Sequence, residues 1–459
     1  MLDQTRAQQI FEKVKKSSTV PEVEVIFSST NFSLTRFANN TIHQNVAEIN
    51  EFASIRVAFD GKTARATTNR FDDESLKRAV QSAESIARVQ EPDLDLLPMA
   101  DATEGKEAEG PSRWFDQTAA LTPADRAEGV EKIVAVAKKN KLVTAGIFSS
   151  SQNADAVVNS KGLSVYHRQT SAEVSITMLA ENSSGWQKAN SPDVKNIAPV
   201  RLAEIAAQKA RDSSGPQELP PGKYTVILEP AAVLDLVGFM FGDFGGLAIL
   251  DQRSFLNNRI GTKLFGENIT IVDDVTHPLQ SNAPFDGEGV RRRRVNLVEK
   301  GVVRSLVYAR GTAERMRKSE YKDKVGEITT TGHGFPLPNE MGEAPANIVF
   351  ITPGGEQTVE QMIAGTERGI LVTRLWYIRE VDPYEKILTG MTRDGTFLVE
   401  NGKVKQGLRN FRFNQSLIET LNGVEAMGRP VRASGEEAFD MVVPAMKIRS
   451  FNFTEVTRF

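Results

Sequence analysis

Four histidines, His43, His167, His277 and His333, are the only imidazoles in this 459-residue sequence, and it has no cysteine. No two of the four are close in sequence, so no short-range pair of the kind that seeds a helical metal site is present. The absence of cysteine removes disulfides, thiolate ligands and a cysteine nucleophile. Asp273 and Asp274, with Asp251 and Asp286, offer oxygen donors. Acids placed after strands ordinarily cap and turn the chain, and that reading is preferred to a carboxylate metal site. Neither a G-x-S-x-G nucleophile elbow nor a G-x-x-x-x-G-K-[ST] phosphate loop occurs.

Three other groups are chemically conspicuous. Arg291 to Arg294 is a run of four cations. It suits an acidic partner, but a solvated strand end leading into Val295 is the preferred reading. Thr331, Gly332, His333 and Gly334 form a Thr/Gly loop. Glycines on both sides of His333 let backbone come close to a ligand, so this loop is a candidate contact for an extended peptide or a partner subunit. A surface loop at a subunit interface is the alternative, and the two stand side by side. Arg374, Trp376, Tyr377 and Arg379 lie on one predicted strand. Alternation places Arg374, Trp376 and Ile378 on one face, with Leu375, Tyr377 and Arg379 on the other. These residue types are common interface anchors. Internal packing with one arginine paired to nearby Asp382 is slightly preferred.

The elements that must position these groups are legible in the hydropathy pattern. Composition is that of a soluble globular chain, with 40% hydrophobic and 25% charged residues. A formal net charge of −3 gives no reason to expect nucleic-acid binding. Ala7, Ile10, Phe11 and Val14 fall at helical spacing in a charged N-terminus, which reads as a surface helix rather than a signal peptide, as in a cytoplasmic protein. Ala231 to Leu250 has the length of a bilayer span, but Asp235, Asp243 and four glycines argue for a buried helix followed by a Gly-rich turn.

The first half reads as a duplication. Ile26-Phe27-Ser28-Ser29-Thr30 recurs as Ile147-Phe148-Ser149-Ser150-Ser151, and Ser54-Ile55 recurs as Ser175-Ile176 at the same offset. Helices are expected on both sides of each β-rich stretch. Glu22–Phe27, Glu51–Phe59 and Ser171–Leu179 alternate as half-buried strands. Residues 91–113 read as an exposed, Pro-rich acidic linker, and a second boundary falls near residues 212–223. Beyond it strands dominate, including Tyr224–Leu228, Val302–Tyr308 and Gly369–Ile378. Hairpin turns are expected at Glu299-Lys300-Gly301 and Asn401-Gly402. The predicted fold class is α+β in a two-domain chain. Residues 1–215 form an N-terminal α/β domain of two helix–strands–helix repeats (1–90 and 123–214), and residues 220–459 form a C-terminal, mainly antiparallel β domain.

The segment Gly369–Leu421, with its VDP turn, its TRDGTF strand and its LRNFRF strand, resembles the TldD/PmbA family. FDGEGVRRRRVNLVEKGVV (Phe285–Val303) resembles that family's F-D-x-E-G segment and following hairpin, and TTTGHGFPLP (Thr329–Pro338) its Thr-Gly loop. The likeness is good from about residue 220 to 428 and looser before that. It implies a two-protein peptidase acting on small unfolded peptides and peptide leaders. In the active subunit, H-E-x-x-x-H after the first C-terminal strand and a later cysteine hold zinc. Here the corresponding stretch, Leu236–Gly242, reads LVGFMFG, and cysteine is absent. The resemblance therefore implies a PmbA-like subunit with no catalytic or metal-ligating residue of its own. No cofactor is expected on this chain, and zinc is expected in a TldD-like paralogue that partners it in a heterodimer, with a homodimer as the alternative. No membrane association is expected. Two other readings remain open: a self-sufficient peptidase with an unrecognised site, and a regulatory protein contacting a larger partner such as a topoisomerase.

Overall fold

The computed structural model describes residues 1–106 and 110–457. Helix α1 (Gln4–Ser17) begins where Asp3 accepts the Arg6 N–H, and it turns Ala7, Ile10, Phe11 and Val14 inward. Strands β1 (Glu22–Ala38), β2 (Thr41–Phe59) and β3 (Lys62–Thr68) follow, then α2 (Asp73–Val89). After a single turn, α3 (Asp116–Ala119), the order recurs. Helix α4 (Pro123–Lys139) enters through a Thr122–Asp125 capping box, then come β4 (Val143–Asn159), β5 (Ser164–Leu179), β6 (Ser184–Ser191) and α5 (Pro199–Asp212). The strands make one antiparallel sheet in the order β3-β2-β1-β4-β5-β6.

The repeat extends to the hydrogen-bond register. Ile26 pairs with Ser54 as Ile147 pairs with Ser175, and Ile55 pairs with Ala66 as Ile176 pairs with Gln187. Each second pair lies 121 positions after the first, the offset between Ile26 and Ile147. Strands β1 and β4 pair antiparallel at the centre, so the two units face each other across a local two-fold. One face of the sheet is covered by α1 and α2 over Val25, Ile55 and Ala156, and by α4 and α5 over Phe148, Val174 and Ile176. On the opposite face, Val157 and Val165 meet Phe285 and Val290 of the C-terminal half. The strands are longer than their alternating cores: β1 runs on to Ala38, well beyond Phe27. Residues 91–113 are exposed only in part. Met99, Ala100 and Arg113 are buried against the fold, and residues 107–109 lie outside the described residues.

The C-terminal half opens with β7 (Gly222–Leu228), α6 (Pro230–Val237), a 3₁₀ turn (Gly238–Phe244) and α7 (Gly246–Leu250). This is the apolar stretch long enough to suggest a membrane span. It folds as short buried helices, and among the described residues no helix is long and apolar enough to cross a membrane. Next come β8 (Thr270–Asp273), β9 (Val295–Glu299), β10 (Val302–Val303), α8 (Arg310–Lys318), β11 (Ile348–Ile351) and α9 (Val359–Ala364). The chain continues with β12 (Arg368–Asp382), β13 (Ile387–Glu400), β14 (Lys403–Gly407), β15 (Phe411–Ser416) and α10 (Leu417–Asn422). It ends with β16 (Val424–Met427), β17 (Val431–Ala433), β18 (Met441–Val443) and β19 (Met446–Val456).

Two sheets result. One runs β10-β9-β8-β11-β18-β17, the other β12-β7-β19-β15-β13-β14. In the second, β12 also pairs with β13, which closes a ring. Pairing is mainly antiparallel; β7–β12 and β11–β18 are parallel. One core, including Leu234, Phe241, Ile271, Tyr308, Phe350, Phe411 and Phe451, spans both sheets. Positive φ at Lys300-Gly301 and Asn401-Gly402 matches the expected hairpin turns. The expected strand Val302–Tyr308 joins the β9 ladder only through its first two residues; beyond them Val307 makes an isolated parallel bridge to Gly245 before the chain enters α8.

Candidate functional site

The strand carrying Arg374, Trp376, Tyr377 and Arg379 does not keep simple alternation. Its register with β13 shifts at Val372/Arg374 and again at Trp376/Arg379, and Tyr377 has φ +54°. The second bulge resets the faces, so Leu375 and Ile378 are both fully buried, and the predicted grouping of Ile378 with Arg374 and Trp376 fails. Arg374 pairs with Asp394 across the hairpin, its Nε 2.9 Å from Asp394 Oδ2, and not with Asp382, which caps the hairpin turn through the Tyr384 and Glu385 N–H groups. The guanidinium lies 4.7 Å from the Trp186 ring centre and 5.4 Å from that of Trp376. Arg393 covers Trp376 at 5.0 Å. Ser184 donates to Asp394 Oδ1 at 2.5 Å, which ties β6 of the first sheet to this corner of the ring.

Two adjoining depressions, about 270 and 740 Å³, open here and share Ser184, Asp394 and Asn410. Trp376 and Arg393 line the smaller one, and Gln217, Gly395 and Arg409 help to line the larger. Tyr377 and Arg379 turn the other way. The Tyr377 and Ile378 N–H groups donate to the Glu437 carboxylate at 2.7 and 3.3 Å, and Arg379 stacks on Tyr377 at 4.5 Å. Behind them, Asp235 on α6 accepts the Glu436 and Glu437 N–H groups on Oδ1, at 3.1 Å each. Its Oδ2 is buried with no partner, and burial pushes the carboxyl up to about 6.

The Thr331–Gly334 loop is elsewhere, and it is closed. All four residues are buried. His333 Nδ1 meets Thr331 Oγ1 at 3.0 Å, and Nε2 stands 3.0 Å from Asp273 Oδ1, within ion-pair reach though not aligned for a hydrogen bond. Burial alone would raise the Asp273 carboxyl; the His333 charge and the Asn347 N–H overcome this and hold it at about 2. A Cβ on Gly332 would fall 2.1 Å from the Arg291 carbonyl, and Gly334 N–H donates to Asp286 at 2.8 Å. The glycines therefore serve close packing of the chain on itself, and the loop is buried in this chain rather than lying at its surface.

The remaining acids are dispersed. Asp251 pairs with Arg253, Asp274 caps its turn through Thr276 N–H, and Asp286 binds the Glu288 and Val290 N–H groups. Arg291, Arg293 and Arg294 are exposed ahead of β9 and line a cleft of about 670 Å³ with Glu104, while Arg292 donates to the Phe285 carbonyl. The four histidines lie on β2, on β5, in the loop after β8, and against Asp273. Among the described residues no three His, Asp or Glu side chains converge as a metal site. Trp186, Ser184 and Glu437 carry no signal in the sequence, and Asp235 stands out there only as an acid within an apolar stretch. Asp394-Gly395 carries a local signal in its Asp-Gly pair, which adopts φ +52° and +130° inside β13.

Comparison with known proteins identifies the architecture. Residues 221–455 match the PmbA/TldA metallopeptidase C-terminal domain, residues 23–87 its domain 1 and residues 116–213 its central domain. The chain is 22% identical over 411 residues to the metalloprotease PmbA of Escherichia coli O157:H7, covering 86% of this chain and 84% of that one. It is 25% identical over 220 residues to a zinc metalloprotease TldD homolog of Saccharolobus solfataricus, covering 45% and 44%. Against three other archaeal relatives at 22–26% identity, the match covers 50–61% of their length. TldE from Thermococcus kodakarensis superposes with a TM-score of 0.84 at 20% identity over 98% of this chain and 99% of that one. With its C-terminal half matching the family model from β7 through β19, this chain belongs to the PmbA/TldD metallopeptidase family.

Proposed function

We propose that this chain is the subunit of a two-protein peptidase that does not hold the hydrolytic zinc, and that it acts with a zinc-bearing relative on short unfolded peptides. The observation that carries this reading is the content of the segment after β7. Leu236, Val237, Met240 and Phe241 are buried in the core there. Of the acids there, Glu229 pairs with Lys209 at 2.6 Å, Asp235 binds backbone N–H groups, and Asp243 pairs with Lys386 at 2.6 Å and accepts the Phe255 N–H. A hydrolytic zinc takes three protein ligands and keeps one open position. The donors present do not fit that requirement.

The cleft between β6 and the closed ring supports a binding role. Trp376 under Arg393 offers a flat, cationic-edged surface, and Ser184 and Asn410 add polar contacts along an extended backbone. The test is elemental analysis and peptide cleavage by the purified chain, alone and co-expressed with a TldD-like relative. The chain alone should hold no stoichiometric zinc and cut nothing, and the complex should cut unfolded peptide with one zinc per pair. One tightly held zinc on the isolated chain overturns the proposal.

A further inference from the structure

The four arginines ahead of β9 are held as a fixed row. Arg291 bridges Phe285, and its N–H donates to the Glu104 carbonyl at 3.0 Å. The Arg292 N–H donates to the Pro284 carbonyl at 2.8 Å and the Arg293 N–H to the Thr331 carbonyl at 3.0 Å. The Arg292 side chain is tied to the Phe285 and Gly332 carbonyls at 3.1 and 3.3 Å. The backbone is pinned on both sides, so the charges cannot spread by bending the chain. The facing wall is built as firmly. Asp101 accepts the Thr103 N–H at 2.7 Å, and the Lys106 N–H donates to the Thr103 carbonyl at 3.3 Å. Gly105 packs so closely that a Cβ would fall 2.9 Å from the Val165 side chain. A strand end that merely meets solvent needs no such wall.

Between these walls lies the cleft of about 670 Å³, to which Lys106 and the four arginines bring five cations. Glu104, the acid among its described lining residues, is held by Arg310 at 2.6 Å. Arg294 shares its charge with Asp274 at 3.4 Å and donates to Asn296 at 3.0 Å. The Arg293 side chain is exposed, and its guanidinium has no hydrogen-bond or ion-pair partner among the described residues. Like charges fixed this close together raise the local potential, and an anion in the cleft relieves it.

We propose that this cleft binds a compact polyphosphate, with Arg293 and Arg294 as its principal charge partners. Guanidinium forks match phosphate oxygens in pairs. Several phosphates a few ångströms apart set their charges along a row whose alternate residues lie about 7 Å from one another. The volume is that of a small-molecule site. An extended acidic peptide is the weaker fit, because the N–H groups of Arg291, Arg292 and Arg293 are already donated and cannot hold its backbone. The phosphates can be free, as in inorganic triphosphate, or the tail of a nucleotide. Among the described lining residues Val290 is the one apolar side chain and none is aromatic, so a nucleobase gains nothing there. This site does not depend on whether the chain holds zinc or cuts peptide.

The test is isothermal titration calorimetry of the full chain with inorganic triphosphate, ATP and hexaglutamate. Triphosphate should bind once per chain, and its affinity should fall about tenfold between about 50 and about 300 mM salt. Arg293→Gln and Arg294→Gln should each weaken it about tenfold. The Arg293→Gln melt should match that of wild type, because the side chain is exposed. Lys15→Gln removes the same charge from the exposed face of α1 and should leave the affinity unchanged. ATP should bind no tighter than triphosphate, and hexaglutamate more weakly. No triphosphate binding at millimolar concentration, an Arg293→Gln variant that binds like wild type, equal weakening by Lys15→Gln, or tighter binding of ATP or hexaglutamate each overturns the proposal.

Discussion

Asp235 is the residue whose environment departs furthest from what its position in an apolar helix suggests. Burial pushes its carboxyl up to about 6, one oxygen having no donor, although the two backbone N–H groups on the other oxygen favour the charged form. The unfolded chain gives up this proton near the ordinary aspartate value of about 3.9, so the folded state binds more protons between the two values. Its contribution to stability is therefore complete in acid and is lost as pH rises toward about 6. Asp235→Asn keeps the Oδ1 acceptor and cannot ionise. Relative to this variant, wild type should lose roughly 2–3 kcal/mol between pH 4 and pH 8, with most of the loss below pH 6.5. Urea melts of both proteins across that range check it; parallel curves would show that Asp235 titrates normally.

Among the elements, α5 and β6 decide how the first sheet meets the ring, because Trp186 and Ser184 project from β6 toward Arg374 and Asp394. Their close approach depends on Gly185, where a Cβ would lie 2.2 Å from the Ala206 carbonyl and 2.4 Å from the Ala210 N–H nitrogen. Backbone atoms on both sides cannot yield as a side chain would. Gly185→Ala should cost about 1–3 kcal/mol, read as a lower urea midpoint with an unchanged slope. Gly311 on α8 is the contrasting case: a Cβ there meets nothing within 4 Å, and Gly311→Ala should stabilise by about 0.5–1 kcal/mol.

At the scale of the whole molecule, the two halves are joined by buried charged groups as well as by the apolar contact of Val157 and Val165 with Phe285. Arg113, in the segment between the repeats, is 5% exposed and donates to the carbonyls of Val275, His277 and Pro278 at 3.3, 2.9 and 2.9 Å. Glu104 meets Arg310 at 2.6 Å, and Arg65 of β3 reaches the Leu337 carbonyl at 2.8 Å. Removing the Arg113 guanidinium strips partners from three carbonyls at once, at about 1–3 kcal/mol for each that water does not reach. Arg113→Ala should lower stability by about 3 kcal/mol and speed proteolytic cutting between residues 90 and 113. A melt and a cleavage pattern like those of wild type would show that this guanidinium does not clamp the halves.

What the sequence determined by itself was local or repetitive. The α1 stripe of Ala7, Ile10, Phe11 and Val14, the Asn401-Gly402 turn, the duplication offset and the VDP, TRDGTF and LRNFRF strings each depend on neighbours a few residues apart or on a second copy of the same pattern. These were enough for the α+β class and the family. The tertiary structure decided the rest. Register shifts in β12, two of them between Val372 and Arg379, override period-two alternation, so the side-chain faces follow from β13 and Glu437 rather than from Arg374–Arg379 alone. The glycines beside His333 look permissive in sequence and are filled by the Arg291 carbonyl and the Asp286 carboxylate, which arrive from more than 40 residues away. Arg374 chose Asp394 over the nearer Asp382 because the antiparallel β12–β13 hairpin brings the more distant acid beside it. Partners distant in sequence leave no periodic trace, and packing alone selects among them.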